Sequence, residues 1–343
     1  MVNELTDFFE LRNNYSNYSQ IESELIYGNE KIKKTFITVV IPTYKRCSSL
    51  KNTIESVINQ VNYDDFIIIV VDNQYKRDSD TENMIKNLNY ERILYYQNKD
   101  NIGQIANWNR GIEIAQSEWV ILLHDDDMLK SNYFEEVVSI IKNNPDIQAL
   151  GTVSDTFEFE NKNKIINNDI TWKTKVKKLI KSRFRGNITK LTLKDYYFES
   201  GYYAPIGCLY KRENVIKIGG FNEDFFPISD WVFHVNYMLK YNLYIVSSVL
   251  TSRGIGINDS LLKKYRIGFI EKGYYFRKAI LKRRKSLLGE WWIQIVTWYN
   301  AKINYKLETD DLKKNMLKIK YDTKMYKWIY LLIYRLYNIT KTY

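Results

Sequence analysis

From residue 35 onward, short and almost wholly apolar β-branched runs alternate with segments whose apolar residues recur at helical spacing, and this alternation limits the fold more than any other feature. Residues 36–41 (FITVVI), 66–71 (FIIIVV), 92–96 (RILYY) and 119–123 (WVILL) read as strands. After the first run, Leu50, Ile54, Val57, Ile58 and Val61 fall on one helical face, with Ser48 or Ser49 placed to cap it. Helical segments are expected near 79–88 and 105–116. Asn132, with Glu135 three residues on, is expected to cap another, striped by Phe134, Val137, Val138 and Ile141. Strands that are apolar throughout need cover on both faces, which a parallel sheet with helices on each side provides. The expectation is an α/β fold with a doubly wound, mostly parallel sheet.

In such sheets ligands bind beyond the carboxyl ends of the strands. Those ends carry Pro42, Thr43 and Tyr44, then Asp72 and Asn73, then His124 and the triplet Asp125, Asp126 and Asp127. No GxGxxG follows the first strand and no GxxxxGK[ST] occurs, so dinucleotide-binding and P-loop readings are disfavoured. Adjacent carboxylates in a crevice repel one another unless a cation or donor compensates them. Hard divalent cations acting on phosphate substrates take oxygen ligands of this type. The plainer reading, an acidic loop at the start of the next helix, is weakened by Asp72, which brings acid from a second strand end to the same side.

At this point the chain resembles a known family. TFITVVIPTYKR, IIIVVDN, NIGQIANWNRGIEIAQSEWVILLHDDDML and GGFNEDFFPISDW occur in the order and spacing of the family 2 glycosyltransferases of the GT-A fold, across about residues 35–260. The resemblance implies transfer of a sugar from a nucleotide-diphospho-sugar, usually with inversion, with a divalent metal (Mg²⁺ or Mn²⁺) held by a DxD-type motif. It implies that Pro42, Thr43 and Tyr44 form the nucleotide-facing turn, that Asp72 accepts from the base, and that Asp125 meets the ribose. It further implies that Asp126 and Asp127 are the metal carboxylates, with the choice between them open, and that Asp230 is the catalytic base. The chain departs from the pattern in places. Asn73-Gln74-Tyr75 replaces Asp-Gly-Ser, Trp108 replaces a common Arg, with Gln104 or Asn107 as substitute donors, and Ser229-Asp230 replaces Glu-Asp. Arg253 matches a phosphate-side Arg loosely. His124 and His234 are read first as packing residues.

Charge then divides the chain. Residues 261–343 hold 20 Lys and Arg against 6 Asp and Glu, a surplus of 14 within a total of +11, so the rest carries −3. Basic clusters there alternate with aromatic groups, including MYKWIYLLIYRLY at 325–337, a combination suited to an anionic membrane surface, with Trp328, Tyr330 and Tyr334 as interfacial rings. The competing readings are a helical lid and an oligomer interface. Nucleic acid is not an expected partner, because no recognition motif accompanies the charge. Residues 1–34 read as an N-terminal extension, 35–260 as the transferase domain and 261–343 as a basic, aromatic, C-terminal helical region. Within the domain, 155–200 reads as a polar, basic insertion. Cys47 and Cys208 lack metal spacing and exclude a disulfide framework, which favours a reducing compartment. Without a visible leader or a span of about 20 apolar residues, the expected location is cytoplasmic, peripheral to the inner face of the cell membrane.

The expected partners are a nucleotide-sugar, a UDP-sugar by default, and a glycan or lipid-linked acceptor. Two alternatives stand beside the transferase reading. A nucleotidyltransferase of related fold would want a glycine-rich phosphate loop where PTYKRCSS stands. A non-catalytic scaffold would have no need to keep Asp72, the triplet and Asp230 together.

Overall fold

The sheet core follows from the four apolar runs. In the computed structural model they become β2 (Ile37–Thr43), β3 (Phe66–Asp72), β4 (Ile93–Asn98) and β5 (Trp119–Leu122), paired in parallel in the order β4-β3-β2-β5. The structure describes residues 2–3, 5–31, 35–77, 79–160, 164–166, 188–198, 206–255, 263–284, 288–304, 306 and 324–340. Much of the expected basic insertion, Pro205, residues 256–260 and Lys285 therefore lie outside the described residues. Helices α1 (Cys47–Ile58), α2 (Ser79–Asn87) and α3 (Gln104–Ile114) connect the parallel strands. Every residue of β2, β3 and β4 is buried, the polar Thr43, Asp72, Gln97 and Asn98 at their carboxyl ends included.

Beyond this parallel block the sheet becomes mixed. β6 (Asp127–Leu129) and α4 (Tyr133–Asn143) follow β5, then β7 (Ala149–Glu160), β8 (Lys164–Ile166), β9 (Ile188–Lys190), α5 (Leu193–Phe198), β10 (Leu209–Lys211), α6 (Arg212–Lys217), α7 (Ser229–Lys240) and β11 (Leu243–Ile255). β10 joins β5 antiparallel, β7 joins β10, β11 runs parallel to β7, and β6 closes the far edge antiparallel to β11. The order is β1-β4-β3-β2-β5-β10-β7-β11-β6, where β1 is Ser23–Tyr27.

Two helix starts differ from expectation. Arg46 is the N-cap of α1 without a side-chain cap bond, and Ser49 instead donates to the Arg46 carbonyl. Asn132 precedes α4, but its amide pairs with Glu136, while Gln60 Oε1 accepts the Phe134 N–H at 3.0 Å. A distant glutamine does the work of the expected local cap.

Residues before 35 are built into the fold. β1 pairs antiparallel with β4, and Arg110 of α3 donates to Ser23 Oγ (2.6 Å) and to the carbonyls of Tyr18 (3.1 Å) and Ile21 (2.6 Å). Phe8 is buried against Phe225 and Phe276, with ring centroids 5.1 and 5.3 Å apart. Phe276 belongs to α8 (Lys263–Arg283), so the N-terminal segment ties the C-terminal helices to the sheet domain.

The C-terminal region is helical, as expected: α8, α9 (Glu290–Tyr299) and α10 (Lys324–Thr340). Trp292, Ile293, Ile295 and Val296 of α9 share one apolar core with Trp231 and Val235 of α7. The expectation that Tyr330 faces a membrane is corrected here: the ring is buried and stacks on Tyr299 and Trp292 at 3.8 and 5.7 Å. Tyr334 is partly buried beside it, whereas Trp328 is 64% exposed.

Candidate functional site

The register of the parallel strands brings the chemistry together. Thr43 ends β2 opposite Asp72 at the end of β3, and the Asn73 N–H donates to the Thr43 carbonyl at 3.0 Å. From the neighbouring β5 the chain turns through His124 to Asp127, whose N–H returns to the His124 carbonyl at 3.1 Å. Thr43 Oγ1 donates to Asp125 Oδ2 at 2.8 Å, so the first strand end holds the first carboxylate of the triplet.

All three carboxylates are buried, and each has neighbours that offset part of the cost. Arg46 Nη1 lies 3.3 Å from Asp125 Oδ1 and 3.2 Å from Asp126 Oδ2. Asp127 Oδ1 accepts from Gly254 N at 3.2 Å, its carbonyl accepts from Thr53 at 2.8 Å, and its Oδ2 lies 3.6 Å from His124 Nδ1. Burial pushes the Asp125 carboxyl up to about 7 against the opposing pull of Arg46. Burial, then the charge of Asp126, raises Asp127 well above the usual carboxylate range. Burial also lowers His124, which keeps a neutral imidazole available as a ligand.

Donor atoms of His124, Asp126 and Asp127 all lie within 4.8 Å of one another. Two carboxylates and a neutral imidazole at this separation suit a divalent cation such as Mn²⁺ or Mg²⁺, which would also relieve the mutual repulsion. His124, read from the sequence as a packing residue, does both: it stacks near Trp108 with centroids 4.9 Å apart and belongs to this cluster. Trp108 thus packs beneath the imidazole where the resemblance leads one to expect an arginine.

The other expected donor-side residues divide into two groups. Pro42 is buried, Tyr44 is 42% exposed with Lys45 over its ring, and Gln104 is exposed at the start of α3. Asp72 is buried, and it accepts from Gln74 N and Tyr95 Oη at 2.9 Å each. Asn107 is committed to the scaffold: its amide donates to the Val71 carbonyl at 3.0 Å and its Oδ1 accepts from Asn98 at 2.8 Å. Asn98 also donates to Asn73 Oδ1 at 3.0 Å, and Asn73 donates to Asn101 at 2.8 Å. This chain of amides behind the crevice escaped sequence reasoning, which had no means of pairing a strand end with two loops and a helix.

Asp230 stands in the first turn of α7, partly buried, with its Oδ1 accepting from Trp231 N at 3.0 Å. Burial pushes its carboxyl up to about 6, opposed by backbone N–H groups and by Arg253. Arg253 is exposed on β11 directly opposite Asp127 on β6, and its charge acts on Asp127, His124 and Asp230 alike. The charge of Arg253 thus favours the ionised form of both Asp127 and Asp230.

Residues 38–219 match the family described as Glycosyl transferase family 2. The chain belongs to this family. Among family relatives, the poly(ribitol-phosphate) beta-N-acetylglucosaminyltransferase TarP of Staphylococcus aureus is 25% identical over 319 residues, covering 84% of this chain and 91% of TarP. An uncharacterized glycosyltransferase of Methanocaldococcus jannaschii is 32% identical over 123 residues, and the match spans only 42% of its length. In three dimensions the chain is similar to S. aureus TarS in complex with UDP-GlcNAc, at 13% identity and a TM-score of 0.52, covering 77% of this chain and 70% of that one. It is likewise similar to the mannosyltransferase PcManGT from Pyrobaculum calidifontis in complex with GDP-Man and Mn²⁺, at 13% identity and a TM-score of 0.51, covering 92% and 90%. At such identity these likenesses establish the GT-A fold of the family.

Proposed function

We propose that the chain transfers a sugar, with inversion, from a nucleotide-diphospho-sugar to a hydroxyl of a growing surface polysaccharide or lipid-linked glycan. The observation that supports this reading is the cluster of His124, Asp126 and Asp127 beyond the strand ends, whose donor atoms lie within 4.8 Å of one another and suit a divalent cation beside a diphosphate. A UDP-sugar is the default donor, supported by UDP-GlcNAc in TarS, with GDP-Man in PcManGT as the other candidate chemistry.

On the donor side, Thr43 fixes Asp125 toward the ribose and Tyr44 offers an exposed ring for stacking. Asp72, held in place by Gln74 N and Tyr95 Oη, accepts from the base. Asp126 and Asp127, with His124, would hold Mg²⁺ or Mn²⁺, which when bound supplies Lewis-acid charge at the leaving diphosphate. Arg253 places further positive charge there. Asp230 takes the proton of the acceptor hydroxyl as that oxygen attacks the anomeric carbon opposite the diphosphate. A single displacement of this kind inverts the centre, and a base raised to about 6 is matched to work near neutral pH.

A screen of UDP-glucose, UDP-GlcNAc and GDP-mannose, with Mn²⁺ and with chelator, tests the donor assignment by thermal shift and donor hydrolysis. A ligand at 100 times its Kd stabilises the native state by about 2.7 kcal/mol. Absence of any shift with all three donors would remove the nucleotide-sugar reading. Donor binding without turnover on any glycan acceptor would favour the scaffold reading.

We also assign the C-terminal region to peripheral attachment at an anionic inner membrane face. Met325, Trp328, Leu332 and Leu336 lie exposed at helical spacing on α10, with Lys327 and Arg335 exposed beside them. Among the described residues no helix is long and apolar enough to cross a membrane. Trp328→Ala with Leu332→Ala is expected to reduce co-sedimentation with anionic vesicles and leave activity on a soluble acceptor unchanged. Equal binding by wild type and variant would refute the assignment.

A further inference from the structure

Arg46 follows Lys45 directly after the PTY turn, and its placement is specific. Lys45 before it adopts φ 56°, in the left-handed region that a non-glycine residue seldom occupies. That turn sends the N-cap residue of α1 into the acidic triplet. Arg46 Nη1 meets Asp125 at 3.3 Å and Asp126 at 3.2 Å, with the Arg46 side chain 24% exposed and the two carboxylates 8% and 6%. Asp126 is thus shared. The same carboxylate belongs to the His124, Asp126 and Asp127 cluster that suits a divalent cation.

A guanidinium cannot shed its charge in a protein. In contact with Asp126 it opposes a cation arriving alone, both by repulsion and by occupying Oδ2. A nucleotide diphosphate offers that planar fork a bidentate acceptor of higher charge density than one carboxylate oxygen. We propose that Arg46 couples the two ligands of the donor site: it neutralises Asp125 and Asp126 when the site is empty, and turns to the diphosphate when nucleotide arrives, releasing Asp126 for the cation. The proposal rests on the donor reading above. By linkage the coupling is reciprocal, so nucleotide and cation each strengthen the other by one common factor.

The test measures binding and needs no turnover. Mn²⁺ alone, UDP alone, and each in the presence of the other are titrated calorimetrically into wild type, Arg46→Ala and Arg46→Lys. The expected wild-type coupling factor lies within about 5–150-fold. Arg46→Ala is expected to bind Mn²⁺ alone about tenfold more tightly, to bind UDP with Mn²⁺ about tenfold more weakly, and to lower the coupling factor about tenfold, leaving the part that direct cation–phosphate contact supplies. Arg46→Lys keeps the charge, loses the fork and falls between. If Arg46→Ala does not fold, Arg46→Gln, which drops the charge and keeps an N–H donor, is held to the Arg46→Ala expectations. Mn²⁺ binding no tighter than wild type, or an unchanged coupling factor, overturns the role of Arg46 and leaves the donor site standing. Failure of wild type to bind UDP under any condition overturns both.

Discussion

At the strand ends, Asp72, Asp125 and Asp127 give carboxylate oxygens to Tyr95, Thr43, Arg46 and Gly254, whereas at the start of α7 Asp230 accepts from the backbone beside it. The first set is fixed by strand ends whose ladder register leaves little freedom. Asp230 sits at a helix N-terminus, where burial raises its carboxyl while the helix dipole and nearby N–H groups favour the charged form. The contrast is one of anchoring. Asp125 and Asp127 are held by groups from other elements and are still raised by burial, Asp125 to about 7, whereas Asp230 is held by the backbone of its own helix and is raised to about 6.

The sharpest way to break that division is to exchange its two halves. Asp230→Asn is expected to lower turnover by about 10²–10⁴-fold, since it removes the base and spares the nucleotide contacts. Calorimetric UDP affinity should meanwhile stay within about twofold. Asp126→Ala with Asp127→Ala is expected to do the reverse to binding, weakening UDP far more than uridine, because the cation they would hold meets phosphate. Equal losses of UDP and uridine affinity in that variant, or wild-type turnover in Asp230→Asn, would erase the distinction.

The pH profile gives a smaller effect. A base must be ionised to act, and Asp230 is raised to about 6, so kcat at saturating donor and cation should fall about tenfold per pH unit below that value. A limb starting near 4 would mean that burial does not govern this carboxyl. The smallest expected change comes from Thr43→Val, which removes the Oγ1 bond to Asp125 and leaves its Arg46 contact. A loss of about 1–1.4 kcal/mol corresponds to roughly five- to tenfold weaker UDP binding. No loss would show that Asp125 is positioned by Arg46 alone.

The same division marks how far the site can be read from the sequence. Thr43, Asp72 and the triplet are legible because each follows directly on an apolar strand, and parallel strands put such residues on one side. Asp230 is visible only through the family resemblance, since a carboxylate at a helix start is locally indistinguishable from an ordinary first-turn acid. The contacts of Arg46 and the pairing of the Asn73, Asn98, Asn101 and Asn107 amides are not legible, for another reason. Their partners lie on other elements, and no local pattern encodes a hydrogen bond from α3 to the end of β3. β1 has too polar and short a pattern to announce a strand, and it gains that state from the free edge of β4.

The C-terminal quarter shows where composition stops. Its charge surplus and helical character are fixed by the sequence, because both depend on residue identity and local spacing. Which aromatic ring faces out depends on what packs against it: Tyr330 is enclosed by Trp292 and Tyr299, while Trp328, two residues away on the same helix, remains exposed. By itself the sequence determined the parallel sheet and the strand ends that carry carboxylates, since burial on both faces demands continuous apolar runs and register does the rest. Tertiary structure alone decided which carboxylates are compensated, which amides support them and which basic residue reaches Asp126, because those are contacts between segments brought together only on folding.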